Sequence, residues 1–400
     1  MKVCMLARSI PSHVKGGIED HIFTLCQELV KKGQDVTIIT TQHPQGIEYE
    51  VIDGIKIYYL KGTIPGRHSQ AREKLSIEKF LDLHQKEKFD IIHCQGWLIK
   101  GIDKLNLPIV LSLHGTSIDE IKTAWNVLIT STNLKMIFIS ILKILFHIYT
   151  YLLGVKWIKK ARGIIATSNE QKKILLEKYK VKKDKLYVVY NGIDIDLFIA
   201  QSSDLELLNK YGIKKDKEKV ILCVARIIKE KGIQNIVKAM PNILKKVPSC
   251  KLLIVGDGKY RPELEKIVDR LGLQENIIIT GLVPYEDLPQ FYNLCDIFVN
   301  STIRINGYDL TILQSMACRK PVVISNIGSV PTVITNYEDG ILVPPGNIIL
   351  LANAVIELLN NKELADRIAQ KAREKIINKF SLESMVEGTI QVYNTLIKNQ

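Results

Sequence analysis

Two basic side chains in the second half of the chain have the chemistry and the position needed to bind phosphate. Arg226 and Lys231 lie in VARIIKEKGI, directly after an apolar stretch, 220–225, that predicts a strand, and at the start of a predicted helix. Fixed positive charge and the unpaired N–H groups of a helix N-terminus act on the same anionic oxygens. The pair predicts a diphosphate site, although two solvated surface cations would show the same spacing.

The stretch from Asn300 to Asn326, NSTIRINGYDLTILQSMACRKPVVISN, predicts a second part of a ligand site. A strand is predicted at 296–299, Asp309 is a plausible N-cap for a helix that runs through Cys318, and another strand is predicted at 321–325. Ligands bind outside the carboxyl ends of the strands in an open parallel sheet. The sequence therefore predicts a pocket around residues 303–311.

Histidines and glycines at predicted strand ends provide further candidates. His93 and His114 each end an apolar strand, where a neutral imidazole could bond a hydroxyl group, or could be a structural residue. Gly16 and Gly17 open a predicted helix, and Gly256-Asp257-Gly258 follows a strand. Glycine permits close approach of a ligand to the backbone, but a simple turn requires it as well.

The elements that position these residues alternate between strand and helix along the whole chain. Residues 1–195 predict one mainly parallel, doubly wound α/β domain, with strands at 2–7, 36–41, 55–60, 90–94, 108–114, 163–168 and 186–190. The charged stretch 196–218 is predicted to be a linker. A second α/β domain is predicted over 219–379, with strands at 220–225, 251–256, 277–281, 296–299, 321–325 and 340–343.

Composition restricts the partners and the compartment. The formal charge of +13 favours an anionic partner, but no nucleic-acid motif or interleaving of basic and aromatic residues is present, so we expect no nucleic-acid binding. Seven cysteines without CxxC pairs indicate a reducing compartment, and the N-terminus does not resemble a signal peptide. We expect a cytoplasmic protein without a metal site.

The segment 134–153, LKMIFISILKILFHIYTYLL, is unusually apolar. A helical wheel places Ser140, Lys143, His147, Thr150 and Gly154 on one stripe, and Lys156, Lys159 and Lys160 follow. A lysine near the middle argues against a spanning helix. We favour a helix that lies on an anionic membrane surface, with 134–160 as the contact. The alternative is a helix whose apolar side belongs to the core and whose polar stripe faces water.

The stretch around residue 310 resembles the donor site of the family 4 retaining glycosyltransferases. In that family two glutamates, separated by seven residues, flank a Gly-aromatic-Gly turn, and a Glu-Ala-Met-Ala-Cys-Gly helix and Pro-Val-Val follow. The residues that fit this pattern are Gly307, Tyr308, Leu310, Thr311, Met316, Ala317, Cys318, Pro321, Val322 and Val323. The glutamate positions hold Asn306 and Gln314 instead. Asp309 replaces a glycine, and Thr332 replaces a further glutamate.

The resemblance implies a GT-B fold, with two Rossmann-like domains that face each other across a cleft and a C-terminal helix, 380–400, that returns to the first domain. It implies metal-independent sugar transfer, with retention and without a cofactor, from a UDP- or GDP-linked sugar. Together with the apolar segment 134–153, it predicts a lipid-linked or glycan acceptor at the cytoplasmic membrane face. The catalytic residues implied are His114, Arg226 and Lys231. The donor-binding residues implied are Gly17, Gly256, Asp257, Asn306, Gly307, Tyr308, Asp309, Leu310 and Gln314. The acceptor-binding residues implied are Gly16, Glu19, His21 and His93.

The substitutions leave alternatives open. Amides can replace the hydrogen bonds of both glutamates at a loss on the order of 1 kcal/mol each. Asp309 is expected to cap the helix N–H groups that a phosphate would use and to repel that phosphate. One alternative is therefore a GT-B protein without catalysis that serves as a partner of an active transferase. A phosphorylase or a sugar-nucleotide epimerase on a similar fold is another.

Overall fold

The structure is a computed structural model that describes residues 1–398 except 15, 68, 97–100, 103, 104, 106, 131–133, 215 and 306. The chain divides into two compact units. The first unit contains Met1–Gly192 and Leu382–Gln400, and the second contains Ile193–Ser381. The stretch predicted to be a linker, 196–218, lies within the second unit and contains a short helix.

The first unit is built on an eight-stranded sheet. Its strands are β1 (Lys2–Leu6), β2 (Asp35–Thr41), β3 (Tyr49–Ile52), β4 (Ile55–Leu60), β5 (Ile91–Gln95), β6 (Ile109–Leu113), β7 (Gly163–Ala166) and β8 (Leu186–Val188). Their order in the sheet is β3-β4-β2-β1-β5-β6-β7-β8. Every pair is parallel except β3 with β4. The helices are α1 (Gly17–Lys31), α2 (Gln70–Glu87), α3 (Ser117–Thr130), α4 (Leu134–Ile158), α5 (Asn169–Glu177) and the C-terminal α14 (Leu382–Lys398).

The second unit contains a six-stranded parallel sheet. Its strands are β9 (Lys219–Val224), β10 (Cys250–Val255), β11 (Ile277–Gly281), β12 (Ile297–Asn300), β13 (Val322–Ser325) and β14 (Ile341–Val343), in the order β11-β10-β9-β12-β13-β14. The helices are α6 (Leu205–Lys210), α7 (Ile233–Leu244), α8 (Arg261–Leu271), α9 (Leu288–Leu294), α10 (Leu310–Ala317), α11 (Val330–Val333), α12 (Ile348–Asn360) and α13 (Lys362–Lys379).

Both sheets are covered on their two faces, as parallel sheets require. Successive residues of β1 enter different cores: Val3 and Met5 pack with α1 and α14, whereas Cys4 and Leu6 pack in the cluster that contains Phe80 of α2. The continuous apolar strands of the sequence follow from this double coverage. The α/β class and the two mainly parallel sheets confirm the predicted fold class.

The C-terminal helix α14 is part of the first unit. Its residues Met385, Val386 and Tyr393 are buried in the same core as Ile22 and Leu25 of α1. A Cβ atom at Gly163 would lie 2.5 Å from Leu396 Cδ1, so a larger residue at this position would push α14 away from β7.

All seven cysteines are buried and carry free thiols. Burial raises the pKa of Cys223, Cys250 and Cys318 to about 12. Because the thiolate is the reactive form, these groups are chemically inert at neutral pH.

Candidate active site

The carboxyl ends of three neighbouring strands bring the predicted phosphate-binding residues together. Strand β9 pairs with β10 on one side and with β12 on the other, all parallel. The three loops that follow contain Arg226, Gly256–Gly258 and residues 301–309 respectively. They therefore lie at one edge of the second sheet, where α/β folds bind ligands.

The loop after β10 needs glycine at positions 256 and 258 because the backbone of the Arg226 loop passes very close to both. Gly256 has φ +140°, and a Cβ atom there would lie 2.0 Å from Ala225 O. A Cβ atom at Gly258 would lie 2.4 Å from Ile227 O, and Ile227 N donates to Asp257 O at 2.9 Å. Close packing of the two loops thus explains both glycines and holds Arg226 in place. The Asp257 carboxylate accepts from Arg261 at 3.1 Å and from Gly258 N at 2.6 Å.

Arg226 has a side chain suited to an anionic ligand. The residue is exposed, and its guanidinium makes no hydrogen bond or ion pair with any part of the chain that the structure describes. An exposed guanidinium without an acidic partner among the described residues can bind an anionic ligand at this edge of the sheet.

Lys231 differs from Arg226 because it already forms an ion pair with an acidic side chain. Its side chain is only 12% exposed, and the ammonium forms a short ion pair with the Asp309 carboxylate. The other Asp309 oxygen, Oδ2, accepts from Asn300 Nδ2 at 2.8 Å. Burial acts to raise the pKa of Asp309, but Lys231, Asn300 and Arg304 outweigh it and lower that pKa below its usual range. Asp309 is therefore a charged partner of Lys231.

This pair corrects the expectation that Asp309 caps the following helix. Asp309 does stand at the N-cap of α10 in extended conformation, but its side chain makes no capping hydrogen bond. The ammonium and the Asn300 amide draw the carboxylate away from the helix N–H groups. The predicted block of the helix N-terminus is therefore wrong, and the acid instead neutralises the cation.

Backbone contacts join the Lys231 turn to the loop after β12. Gly232, with φ +70°, approaches Ser301 so closely that a Cβ atom would lie 2.0 Å from Ser301 O. Ile303 N donates to Glu230 O at 3.0 Å. These contacts set the position from which Lys231 reaches Asp309.

The remaining loop residues lie at the start of α10. Gly307 has φ +57°, which favours glycine, and Leu310 is the first residue of the helix. The half-buried Tyr308 ring meets the Phe380 ring edge-on, with centroids 6.4 Å apart. Asn306, predicted to bind the sugar, lies outside the described residues.

Gln314 is placed differently from the prediction that it binds ribose. It is 3% exposed, and its carbonyl oxygen accepts from the hydroxyl of the fully buried Tyr292 at 2.8 Å. The amide therefore satisfies a buried tyrosine, which is a structural task. Thr332 is half-buried on α11.

In the first unit the predicted glycine-rich loop leads into α1. Gly16 stands at the N-cap and Gly17 begins the helix. Glu19 is buried, and its Oε1 accepts from Ser9 Oγ at 2.6 Å and from Arg8 at 3.4 Å. A Cβ atom at Gly16 would lie 2.8 Å from Glu19 Oε2. The carboxylate thus braces the loop that opens the helix.

The predicted histidines meet in one polar cluster at the ends of β5 and β6. The rings of His21 and His114 pack edge-to-face with centroids 4.9 Å apart. His114 Nε2 lies 2.8 Å from Gln95 Oε1, and Gln95 Nε2 lies 3.4 Å from His93 Nε2. Burial lowers the pKa of His114 to about 4 and that of His93 to about 3. These two rings are therefore neutral at physiological pH.

His93 lies too deep for the predicted contact with an acceptor. It is fully buried, and its ring nitrogens are bonded to Tyr393 Oη at 2.6 Å and to Ser112 Oγ at 2.7 Å. Its contact with Gln95 links it to His114.

Sequence reasoning missed Gln95, Ser112, Tyr393 and Asn300 as members of these clusters. Gln95 and Asn300 carried a readable signal, because each is a polar residue that ends an apolar strand. Tyr393 carried none, since 300 residues separate it from His93.

The helical pair α3 and α4 forms a separate surface with unusual polarity. The two helices pack together, and Ser117 Oγ lies 3.1 Å from Thr150 Oγ1. Ser140 and Gly154 are buried on the inner side, whereas Lys143 is exposed. Large apolar side chains face outward, each 41–82% exposed: Leu134, Phe138, Ile141, Leu142, Leu145, Phe146, Ile148, Tyr149, Leu152 and Leu153. The alternative of an apolar face in the core and a polar stripe facing water is wrong.

The described residues include one segment that could cross a membrane and no candidate metal site. This segment, Ile137–Ile158, has the length and the mean hydropathy, 1.8, that a membrane crossing requires. No group of three or more His, Cys, Asp or Glu side chains suited to a metal ion occurs among the described residues. Metal independence remains a prediction.

Comparison with known proteins identifies the family. Residues 15–197 match Glycosyltransferase Family 4, and residues 206–375 match Glycosyl transferases group 1. An uncharacterized glycosyltransferase of Methanocaldococcus jannaschii is 27% identical, with 98% of each chain covered. The alpha-monoglucosyldiacylglycerol synthase of Streptococcus pneumoniae is 28% identical over 94% of this chain and 84% of its own.

Solved structures share the fold over the whole length. The sucrose-phosphate synthase of Thermosynechococcus elongatus superposes with a TM-score of 0.82 at 19% identity and covers 100% of both chains. Anabaena HepE, in complex with UDP and glucose, gives a TM-score of 0.74 at 18% identity, with 99% of this chain and 100% of that chain covered. The predicted GT-B fold and the predicted family are confirmed, and the chain belongs to the family 4 glycosyltransferases.

Proposed function

We propose that this glycosyltransferase moves a sugar, with retention of configuration, from a UDP- or GDP-linked sugar to a lipid-linked or glycan acceptor at the cytoplasmic face of a membrane. The observation that supports the donor part is Arg226, an exposed cation without a hydrogen-bond or ion-pair partner among the described residues, at the carboxyl edge of the second sheet that also carries Lys231. That HepE, which shares the fold, binds UDP and glucose supports a nucleotide sugar as the donor.

Each element of the site has a role in this proposal. Arg226 and Lys231 hold the diphosphate, and the loop 306–310 holds the sugar. Gln314 has an indirect, structural role, because it accepts a hydrogen bond from the buried Tyr292 hydroxyl. Gly16, Gly17 and His114 belong to the acceptor side, where a neutral imidazole accepts a hydrogen bond from a hydroxyl group.

The outward apolar face of α4 supports a membrane location. Lys156, Lys159 and Lys160 are exposed at the end of α4, and Lys180, Lys182 and Lys183 are exposed on the connection before β8. Lys185 joins the two segments, because its ammonium donates to Lys159 O at 3.1 Å and Ala161 O at 3.0 Å. Apolar side chains beside a lysine cluster match the interior and the headgroups of an anionic bilayer. A relative named alpha-monoglucosyldiacylglycerol synthase supports a lipid acceptor.

Replacement of the two cations tests the donor site. We expect Arg226→Ala with Lys231→Ala to lower sugar transfer from a labelled nucleotide sugar about 100-fold or more, because charge-assisted hydrogen bonds to the diphosphate are lost. Arg226→Ala alone should leave the melting temperature unchanged, because its side chain has no described partner. Lys229→Ala with Lys238→Ala, two exposed lysines of the same unit, is the control for charge. Full transfer by the Arg226/Lys231 variant would remove the diphosphate role.

The ion pair between Lys231 and Asp309 favours a second candidate, a GT-B partner subunit without catalysis. Asp309 already neutralises Lys231, the cation predicted to bind phosphate. A protein that does not bind a nucleotide sugar can keep such a pair without loss of function. Calorimetry with UDP, GDP and their sugars separates the two functions. Micromolar binding supports the enzyme, and absence of binding at millimolar nucleotide supports the partner subunit.

A further inference from the structure

We propose that Tyr393, on the C-terminal helix, is a positioning residue that determines, through His93 and Gln95, which ring nitrogen of His114 carries the proton. The relay itself follows from contacts within the first unit. Its consequence for turnover rests on the proposed function, in which His114 contacts substrate.

The contacts form a continuous chain of hydrogen-bonding groups. Tyr393 Oη lies 2.6 Å from His93 Nδ1, and Ser112 Oγ lies 2.7 Å from His93 Nε2. The Gln95 amide lies next, with its nitrogen 3.4 Å from His93 Nε2 and 3.3 Å from Met5 Sδ. Its oxygen lies 2.8 Å from His114 Nε2. Because His93, Gln95 and Tyr393 are buried, water is a poor substitute for any missing partner.

With the Gln95 oxygen directed towards His114, donors and acceptors along this chain agree in one arrangement. A neutral imidazole has one N–H donor and one acceptor nitrogen. If His93 Nδ1–H donates to Tyr393, His93 Nε2 accepts from Ser112 and from the Gln95 amide N–H. The Gln95 oxygen then faces His114 and accepts from His114 Nε2–H. His114 Nδ1 is left as an acceptor, which is the form able to bind a substrate hydroxyl group.

Loss of the tyrosine oxygen reverses the arrangement. Without it, His93 Nδ1–H has no acceptor, so the proton moves to Nε2, where Ser112 Oγ can accept. An Nε2–H on His93 opposes the Gln95 N–H, and the amide turns over. His114 Nε2 then faces an N–H donor and must be unprotonated, so His114 carries its proton on Nδ1. The side chain of Tyr393 thus controls an atom three groups away.

Nitrogen-15 NMR of the histidine rings tests the relay directly. Long-range proton–nitrogen spectra distinguish the two neutral tautomers, and His93→Gln and His114→Gln variants assign the signals among the eight histidines. In the wild-type protein we expect His93 as Nδ1–H and His114 as Nε2–H. Since Nδ1–H is the less common tautomer in water, finding His93 as Nε2–H would overturn the proposal without any variant of Tyr393.

Variants test the direction of control. Tyr393→Phe should shift the His114 tautomer ratio about tenfold towards Nδ1–H, which corresponds to one lost hydrogen bond. Tyr179→Phe is the matched control, because it removes another buried hydroxyl of the first unit, bonded to Ser117 N, outside the relay. An unchanged His114 ratio in a folded Tyr393→Phe protein would overturn the proposal.

A double-mutant cycle separates the relay from the proposed function. In a Gln95→Leu background, Tyr393→Phe should change neither the His114 ratio nor kcat, because the connection is already cut. In the wild-type background, Tyr393→Phe should lower kcat about tenfold with little change in donor KM. A shifted tautomer with unchanged kcat would support the relay and refute the role of His114 at the substrate.

Discussion

Asp309 is the residue on which the strength of the proposed donor site depends. It stands where the resemblance to the family predicts a turn glycine, and its carboxylate neutralises Lys231, one of the two cations proposed to bind the diphosphate. Anion binding by Lys231 must compete with this pair. The carboxylate also repels an incoming phosphate across a poorly solvated space.

We expect Asp309→Asn to increase affinity for UDP or GDP about tenfold. The amide keeps the size of the side chain and can still accept from Asn300, but it releases the charge of Lys231 for the nucleotide. Titration calorimetry measures the change. Asp366→Asn breaks an exposed lysine–aspartate pair on α13 and serves as the control, with no expected effect. Equal or weaker nucleotide binding by Asp309→Asn would show that Lys231 does not contact the nucleotide.

Sequence patterns located this residue but not its partner. The spacing of strand, loop and helix correctly placed Asp309 at the start of α10. The choice between helix N–H groups and a lysine 78 residues away depends on the packing of two loops, which local sequence does not encode.

Helix α4 is unusual because most of its large apolar side chains are exposed instead of buried in a core. Only 11% of its most apolar 18-residue stretch is buried. The small residues Ser140 and Gly154 are buried, and Thr150 contacts Ser117 of α3. Monomeric soluble proteins rarely expose apolar patches of this extent. The pattern of residues 134–153 predicted the helix, but the stripe alone could not show which side faces inward.

We expect Leu145→Asp with Leu152→Asp to abolish co-sedimentation with vesicles that contain anionic phospholipid. Both side chains are about 60% exposed, so the variant should keep its melting temperature, while each loses about 1.5–3 kcal/mol of apolar burial in lipid. Leu205→Asp with Leu282→Asp makes the same chemical change at exposed positions of the second unit and is the control. Undiminished vesicle binding by the α4 variant would contradict the membrane surface, and resistance of the wild type to alkaline extraction would indicate a spanning helix.

At the scale of the whole molecule, the sheets were predictable and the long-range polar contacts were not. Parallel strands buried on both faces are continuous apolar runs, and two of them, Ile55–Leu60 and Ile277–Gly281, have the predicted bounds. The edge strand Tyr49–Ile52 was missed, because its half-exposed residues give no such run. The bond between His93 and Tyr393 arises only when α14 docks on the first sheet.

We expect acid to destabilise the folded chain through two histidines, His93 and His114, whose pKa values are lowered on folding. The pKa of His93 is about 3 and that of His114 about 4, both lowered mainly by burial, whereas each is about 6.5 in an unfolded chain. As the pH falls below about 6.5, the unfolded state binds protons that the native state excludes. The free energy of unfolding should then fall by up to about 1.4 kcal/mol per pH unit for each ring.

Chemical denaturation between pH 8 and pH 5 measures this dependence. Stability should be flat with respect to these two groups above pH 7 and should decline below it. His114→Gln should reduce the slope of unfolding free energy against pH by the contribution of one histidine proton. The carboxylates contribute equally in both proteins, so they do not affect the difference. An identical slope in the variant would show that His114 is not buried in its neutral form.

The seven buried thiols have a practical consequence for spectroscopy. Maleimide reagents attack thiolates in contact with solvent, so the native cysteines should stay unlabelled in the folded protein. A single cysteine introduced at an exposed position such as Leu152 could then carry a spin label or an environment-sensitive dye without prior removal of the natural ones. Immersion depth in a bilayer would thus become directly measurable on an otherwise unaltered chain.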